Sequence, residues 1–101
     1  MYKVILSEVV ALGKIEADKV YREKTQKIFD KHEVPRRAWW VESRKLGQVF
    51  VEFGEFESKE VADAALAKVY ADKEWQALNK ERIESGGVID GTLETFVLNS
   101  Y

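Results

Sequence analysis

No cysteine occurs in the 101 residues, and histidine occurs once, at His32. The first absence excludes a disulfide scaffold, a thiolate metal site and a cysteine nucleophile. The second excludes a multi-histidine zinc site within one chain, so no metal is expected. Proline also occurs once and glycine six times, so turn signals are few and each carries weight. No run approaches the roughly 18 apolar residues that cross a bilayer. The start, Met1-Tyr2-Lys3-Val4, leads into strand-like sequence without the pattern of a secretory leader. The expectation is a cytoplasmic protein with no membrane partner. A charge excess is missing too, since sixteen basic residues face eighteen acidic ones. Nucleic-acid binders usually carry a basic surplus, so no nucleic-acid partner is expected.

What is present points to a folded chain. Hydrophobic residues make up 46% and charged residues 34%, too apolar for a disordered tail and too charged for a membrane protein. Residues 1–101 read as one domain without repeat, linker or low-complexity tract. A domain this short buries a modest fraction of its surface, and pairing with a second copy would bury more.

Tyr2 to Val10 is short and β-branched, which predicts a strand. After Gly13, Ile15 to about Glu33 has no Gly or Pro and places Ala17, Val20, Tyr21, Thr25, Ile28 and His32 on one side of a helix. Pro35 follows the expected stop. Arg37–Ser43 and Gly47–Phe56 are aromatic and β-branched and form a predicted hairpin across Lys45-Leu46-Gly47. Ser58 is a candidate N-cap for a helix over Lys59–Ala71, with Val61, Ala65, Leu66, Val69 and Tyr70 as its stripe. Asp72 caps a second short helix, Lys73–Glu84, which aligns Trp75, Leu78, Asn79 and Arg82. Gly86-Gly87 ends it, and Thr92–Asn99 is a last strand.

The order β-α-β-β-α(α)-β predicts an α+β, ferredoxin-like fold: an antiparallel sheet with helices on one face. A sheet with one wet face alternates apolar and polar residues. Here Val49, Val51 and Phe53 share one side while Phe50 and Phe56 fall on the other, and Trp39 and Trp40 point oppositely. Both faces want cover, and the helices supply it for one. A homodimer is the expected answer.

Three segments carry a family resemblance over essentially the whole chain. They are the opening strand with Leu12-Gly13-Lys14 and a first helix ending at Asp30-Lys31-His32; Phe50-Val51-Glu52-Phe53 running through Phe56-Glu57-Ser58 into an Ala-rich helix; and Ala71-Asp72-Lys73-Glu74-Trp75-Gln76-Ala77-Leu78. With these the chain resembles the dimeric α+β-barrel superfamily, in particular NIPSNAP-like and antibiotic-biosynthesis-monooxygenase-like domains. Lys73 stands where those proteins often have proline. The resemblance implies a dimeric α+β barrel with a cavity between sheet and helices. It fixes architecture more firmly than activity, because one fold hosts many chemistries. A rival resemblance is to the RNA-recognition motif, through Gly47-Gln48-Val49-Phe50-Val51-Glu52-Phe53. Leu46, Gln48 and Val49 depart from that motif, and the first strand has no central aromatic for base stacking.

The candidate site residues follow. His32, near a helix end, is a candidate acid or base; the plain alternative is a hydrogen bond to a backbone group or carboxylate. Trp75 and Asn79 are side by side at i, i+4. The resemblance implies that such a pair lines a substrate cavity, with Asn79 in a catalytic role; a core or wall position for Trp75 is the simpler reading. Trp39, Trp40 and Phe50 are candidates for an aromatic slot around a planar ligand, or for interface filling. Glu8 and Glu52 lie on neighbouring strands. Were they to share a space, their pKa values would rise and suit acid/base work; salt bridges to Arg36, Arg37 or Arg44 are the alternative, and register decides between them. The charged first helix reads as a solvated surface.

The expected function is binding of a small apolar or aromatic molecule. If the protein is an enzyme, the expectation is monooxygenase-like or isomerase/cyclase-like chemistry without cofactor or bound metal. The alternatives are a non-enzymatic interaction dimer and an RNA-recognition-motif-like module.

Overall fold

Seven elements follow one another in the expected order in the computed structural model, which describes residues 2–43, 46–88 and 94–99. They are β1 (Tyr2–Val10), α1 (Ile15–Lys31), β2 (Arg36–Glu42), β3 (Gly47–Phe53), α2 (Lys59–Tyr70), α3 (Lys73–Glu84) and β4 (Glu94–Asn99). All strand pairs are antiparallel, in the order β2-β3-β1-β4. This is the ferredoxin-like α+β arrangement. Lys45 of the hairpin link, Arg44 and Thr92 lie outside the described residues.

Local chemistry explains the boundaries. Ser58 accepts from the Val61 N–H at 3.3 Å and Asp72 from the Glu74 N–H at 3.0 Å, so both expected N-caps operate. Helix α1 ends at Lys31 rather than at Glu33. Glu33 takes a left-handed backbone, φ 59°. The Val34 N–H then donates to the Phe29 carbonyl at 2.9 Å and the Glu33 N–H to the Asp30 carbonyl at 3.0 Å. This pair of bonds closes a helix in the Schellman manner, here with Glu at the position that usually takes Gly.

Strand β3 ends at Phe53, three residues earlier than expected. Gly54 donates to the Pro35 carbonyl at 3.0 Å. A Cβ at Gly54 would meet Pro35 Cγ at 2.9 Å, so only glycine fits this approach. The break resets the alternation, and Phe56 pairs with Tyr2 and turns its ring into the core. The sequence pattern had set Phe56 on the opposite face with Phe50.

The core joins Val4 and Val10 of β1, Val49, Val51 and Phe53 of β3, Ile28 and Phe29 of α1, and Ala62, Leu66 and Val69 of α2. Two helix stripes are rotated from expectation. Helix α1 buries the expected Tyr21, Thr25 and Ile28 but also Ile15, Asp18, Arg22 and Phe29, and leaves Val20 exposed; α2 buries the expected Leu66 and Val69 but also Ala62, and leaves Val61 exposed.

Among the described residues, no helix lies over the opposite sheet face. Trp39, Val41 and Phe96 stand there 44%, 55% and 45% exposed, beside half-buried Ile5, Val9 and Phe50. Lys3 bridges Glu52 at 2.6 Å, and Arg37 bridges it at 3.3 Å.

Candidate functional site

A cavity of about 480 Å3 lies between the helix-bearing sheet face and the helices. Leu6, Phe29, Phe53, Tyr70 and Trp75 give it apolar wall; Glu8, Tyr21, Arg22, Arg36, Asn79 and Arg82 give it polar groups. Its position follows from the α2–α3 junction. Helix α2 ends at Tyr70, and Asp72 caps α3 almost at once. Trp75 therefore returns beside Tyr70, with ring centroids 4.7 Å apart. One turn further along α3, Asn79 accepts from the Tyr21 hydroxyl at 3.3 Å. Burial pushes the Tyr21 phenol above its ordinary pKa.

Beneath this wall runs a buried charge network. Asp18 accepts from Trp40 Nε1 at 2.8 Å, Arg82 Nε at 2.9 Å and Arg22 Nε at 3.4 Å. Burial works to raise its carboxyl pKa, yet Arg22, Arg82 and the Trp40 bond together hold it below the usual value. Glu8 Oε2 accepts a short hydrogen bond from Arg82 Nη2. Burial opposes the Arg82 charge, and Glu8 and Asp18 outweigh it, raising the Arg82 pKa.

Arg36 has no carboxylate partner in this network. It donates to Thr25 Oγ1 at 2.9 Å, the Arg22 carbonyl at 2.6 Å and Gln26 Oε1 at 3.3 Å. Its guanidinium carbon sits 4.2 Å from the Phe29 ring centroid, a cation–π arrangement. Burial, and then repulsion from Arg22, bring its pKa down to about 10. Arg22 Nη2 is buried without a hydrogen-bond partner among the described residues. Its nearest carboxylate oxygen, Glu8 Oε2, is 3.6 Å away and is occupied by Arg82. Such an unmet buried donor costs on the order of 1–3 kcal/mol.

The cavity gathers Trp75, Asn79 and Glu8 from among the expected residues. The others lie elsewhere. His32 is the C-cap of α1, its Nε2 2.9 Å from Asp72 Oδ2, and it does not line the cavity. Lys31 also donates to that oxygen at 2.7 Å. The Lys31 bond, then the His32 bond, hold the Asp72 carboxyl well below the usual range. Trp40 packs toward α1 through its bond to Asp18, whereas Trp39, Phe50 and Glu52 belong to the open face. The two tryptophans thus form no common slot. Glu8 and Glu52 do not approach each other, because register sets Glu8 beside Val49 and Glu52 beside Ile5. Lys3, then Arg37, hold the Glu52 carboxyl below its ordinary value.

Asp18, Arg22 and Arg36 are the site residues that the sequence reading left on a solvated surface or in an ordinary bridge. One signal was available. Ile15, Asp18, Arg22, Thr25 and Phe29 follow 3–4–3–4 spacing, a single helical stripe that runs straight through the charged pair.

Among the described residues, no group of three His, Asp or Glu side chains is placed to hold a metal ion, and no helix is long and apolar enough to cross a membrane.

The class defined by this fold is the ferredoxin-like α+β sheet with a cavity under its helices. No protein-family model and no curated protein matches the chain. Solved structures do. An uncharacterised NIPSNAP domain protein from Burkholderia xenovorans superposes with a TM-score of 0.79 at 19% identity, covering 100% of this chain and 95% of its own. A NIPSNAP family protein of unknown function from Agrobacterium tumefaciens gives 0.77 at 17% identity, over 99% and 87%. An antibiotic biosynthesis monooxygenase gives 0.66 at 18% identity, over 100% and 99%. The structural neighbours are thus the NIPSNAP-like and monooxygenase-like proteins that the sequence resembles, and at these identities the likeness is one of fold.

Proposed function

We propose that this chain binds a small planar apolar molecule in the cavity between its sheet and helices. The cavity itself carries this reading: at about 480 Å3 it falls in the range of small-molecule sites, and its apolar wall with a few convergent polar groups is the usual make-up of one. Trp75 and Tyr70, their rings tilted 47° to each other, offer an aromatic wall, while Asn79 and Tyr21 offer a paired hydrogen-bonding edge. The finer reading is transformation of the bound molecule without a cofactor. An acid/base rearrangement, or oxygenation with dioxygen as co-substrate, suits a planar metabolite held beside Asn79 and Tyr21. His32, bound to Asp72, has no part in this reading.

Fluorescence titration with a planar alcohol such as 2-naphthol tests the cavity. Saturable quenching that is lost in Trp75→Phe is the expected result. No change in the folded wild type would leave an interaction dimer with a filled interior as the better account.

The chain is further proposed to work as a homodimer whose open sheet faces meet, as one domain contributing half of a barrel. Trp39 and Val41 on edge strand β2 and Phe96 on edge strand β4 flank Phe50, Ile5 and Val9 of the strands between them, an apolar face that water covers poorly. Light scattering at micromolar concentration should give twice the 11.7 kDa chain mass, and Trp39→Lys combined with Phe96→Glu should give a monomer. A monomeric wild type would sink the barrel.

A further inference from the structure

The buried cluster at the cavity does not balance its charge. Among the described residues, three guanidiniums, Arg22, Arg36 and Arg82, stand beside two carboxylates, Glu8 and Asp18, and only Arg22 and Arg82 pair with them. Both carboxylates are engaged by Arg82, and Asp18 also serves Trp40. Arg36 spends its donors on neutral acceptors. Arg22, its side chain only 9% exposed, holds one nitrogen without a hydrogen-bond acceptor among the described residues, the nearest carboxylate oxygen lying 3.6 Å off. A buried cationic cluster one counter-charge short is unfavourable unless another group supplies the charge and the lone pairs.

We infer that the cavity takes a small planar carboxylate, whose anionic group meets Arg22 beside Arg36 and whose ring lies against Trp75 and Tyr70. The inference deepens the cavity-binding reading and rests on it. A single negative charge closes the deficit of one. A carboxylate also matches the fork of a guanidinium, with two acceptor oxygens in one plane. The aromatic pair lies in the same cavity as the cationic group, so one molecule with a ring and an acid at opposite ends satisfies both. A neutral aromatic would satisfy only the wall and leave Arg22 Nη2 as it is.

The test is calorimetric titration with 1-naphthoate and with its neutral isostere 1-naphthamide, at one fixed ionic strength. The wild type should bind the acid at least about ten-fold more tightly, as expected for a charge-assisted pair. Arg22→Gln should abolish that preference while keeping affinity for the amide, with near-ultraviolet circular dichroism confirming the fold. Should that variant fail to fold, Arg22→Lys serves instead: it keeps the charge, loses the fork, and should reduce the preference without erasing it. Equal binding of acid and amide by the wild type would overturn the carboxylate inference and leave the cavity reading standing. A preference unchanged by either folded variant would do the same. Binding of neither probe would remove both readings together.

Discussion

Glu8 and Glu52 stand on opposite faces of the sheet although their strands are hydrogen-bonded neighbours. The β1–β3 register pairs Glu8 with Val49 and Glu52 with Ile5, and cross-strand partners share a face. Glu8 is thereby sealed with Arg82 and Arg22 under the helices, while Glu52 meets Lys3 and Arg37 on the open side.

The two substitutions to glutamine should therefore differ. Glu8→Gln leaves the buried Arg22 and Arg82 to share Asp18 alone and should destabilise by about 3–5 kcal/mol, the usual cost of breaking a buried pair from one side. Glu52→Gln should leave the urea midpoint close to that of the wild type, since exposed bridges contribute little. Equal losses in urea denaturation would contradict the register.

Asp18 makes stability depend on acid. Its folded pKa is depressed, so the native state favours the carboxylate more than the unfolded chain does. That contribution is present in full above the unfolded value of about 3.9 and declines as pH falls through the lower folded value. Asp18→Asn should lower the melting temperature at neutral pH and flatten its fall below about pH 4. Thermal melts across pH 2–7 check this, and parallel acid limbs in the two proteins would refute it.

Glu33 offers a stabilising change. Its φ of 59° strains a side chain but suits glycine, so Glu33→Gly should raise stability by about 0.5–1 kcal/mol. Chemical denaturation reads the gain. A loss would mean that the Glu33 side chain contributes more than its backbone costs.

His32→Ala should lower the melting temperature modestly and leave cavity binding unchanged. The variant removes one donor from Asp72, which still accepts from Lys31 and caps α3. Probe affinity that falls with this substitution would bring His32 into the site.

Much of the element order could be read in advance because local chemistry sets it. Ser58 and Asp72 cap helices by their own side chains, and Gly or Pro marks most stops. Phe56 escaped that reading. Its facing depends on where β3 stops, and the Gly54 approach to Pro35 that stops it joins segments far apart in the chain. The Trp75–Asn79 pairing was legible from helical spacing, whereas its companion Arg36 was not, and Arg22 showed only through the helical stripe it shares with Asp18 and Phe29.

The sequence by itself determined the α+β order, the helix caps, the aromatic surplus on both sheet faces and the absence of thiol chemistry. These follow from residue type and near-neighbour spacing. Only the tertiary structure decided that Glu8 and Glu52 part company, that His32 is tied to Asp72, and that three arginines gather around two carboxylates beside a cavity, one of them unpaired with either. Such matters turn on register and on helix rotation about its axis, where a shift of one residue exchanges an inner side chain for an outer one. A charged residue in the sequence carries no mark of the face it will occupy; the charges that meet it across the fold supply one.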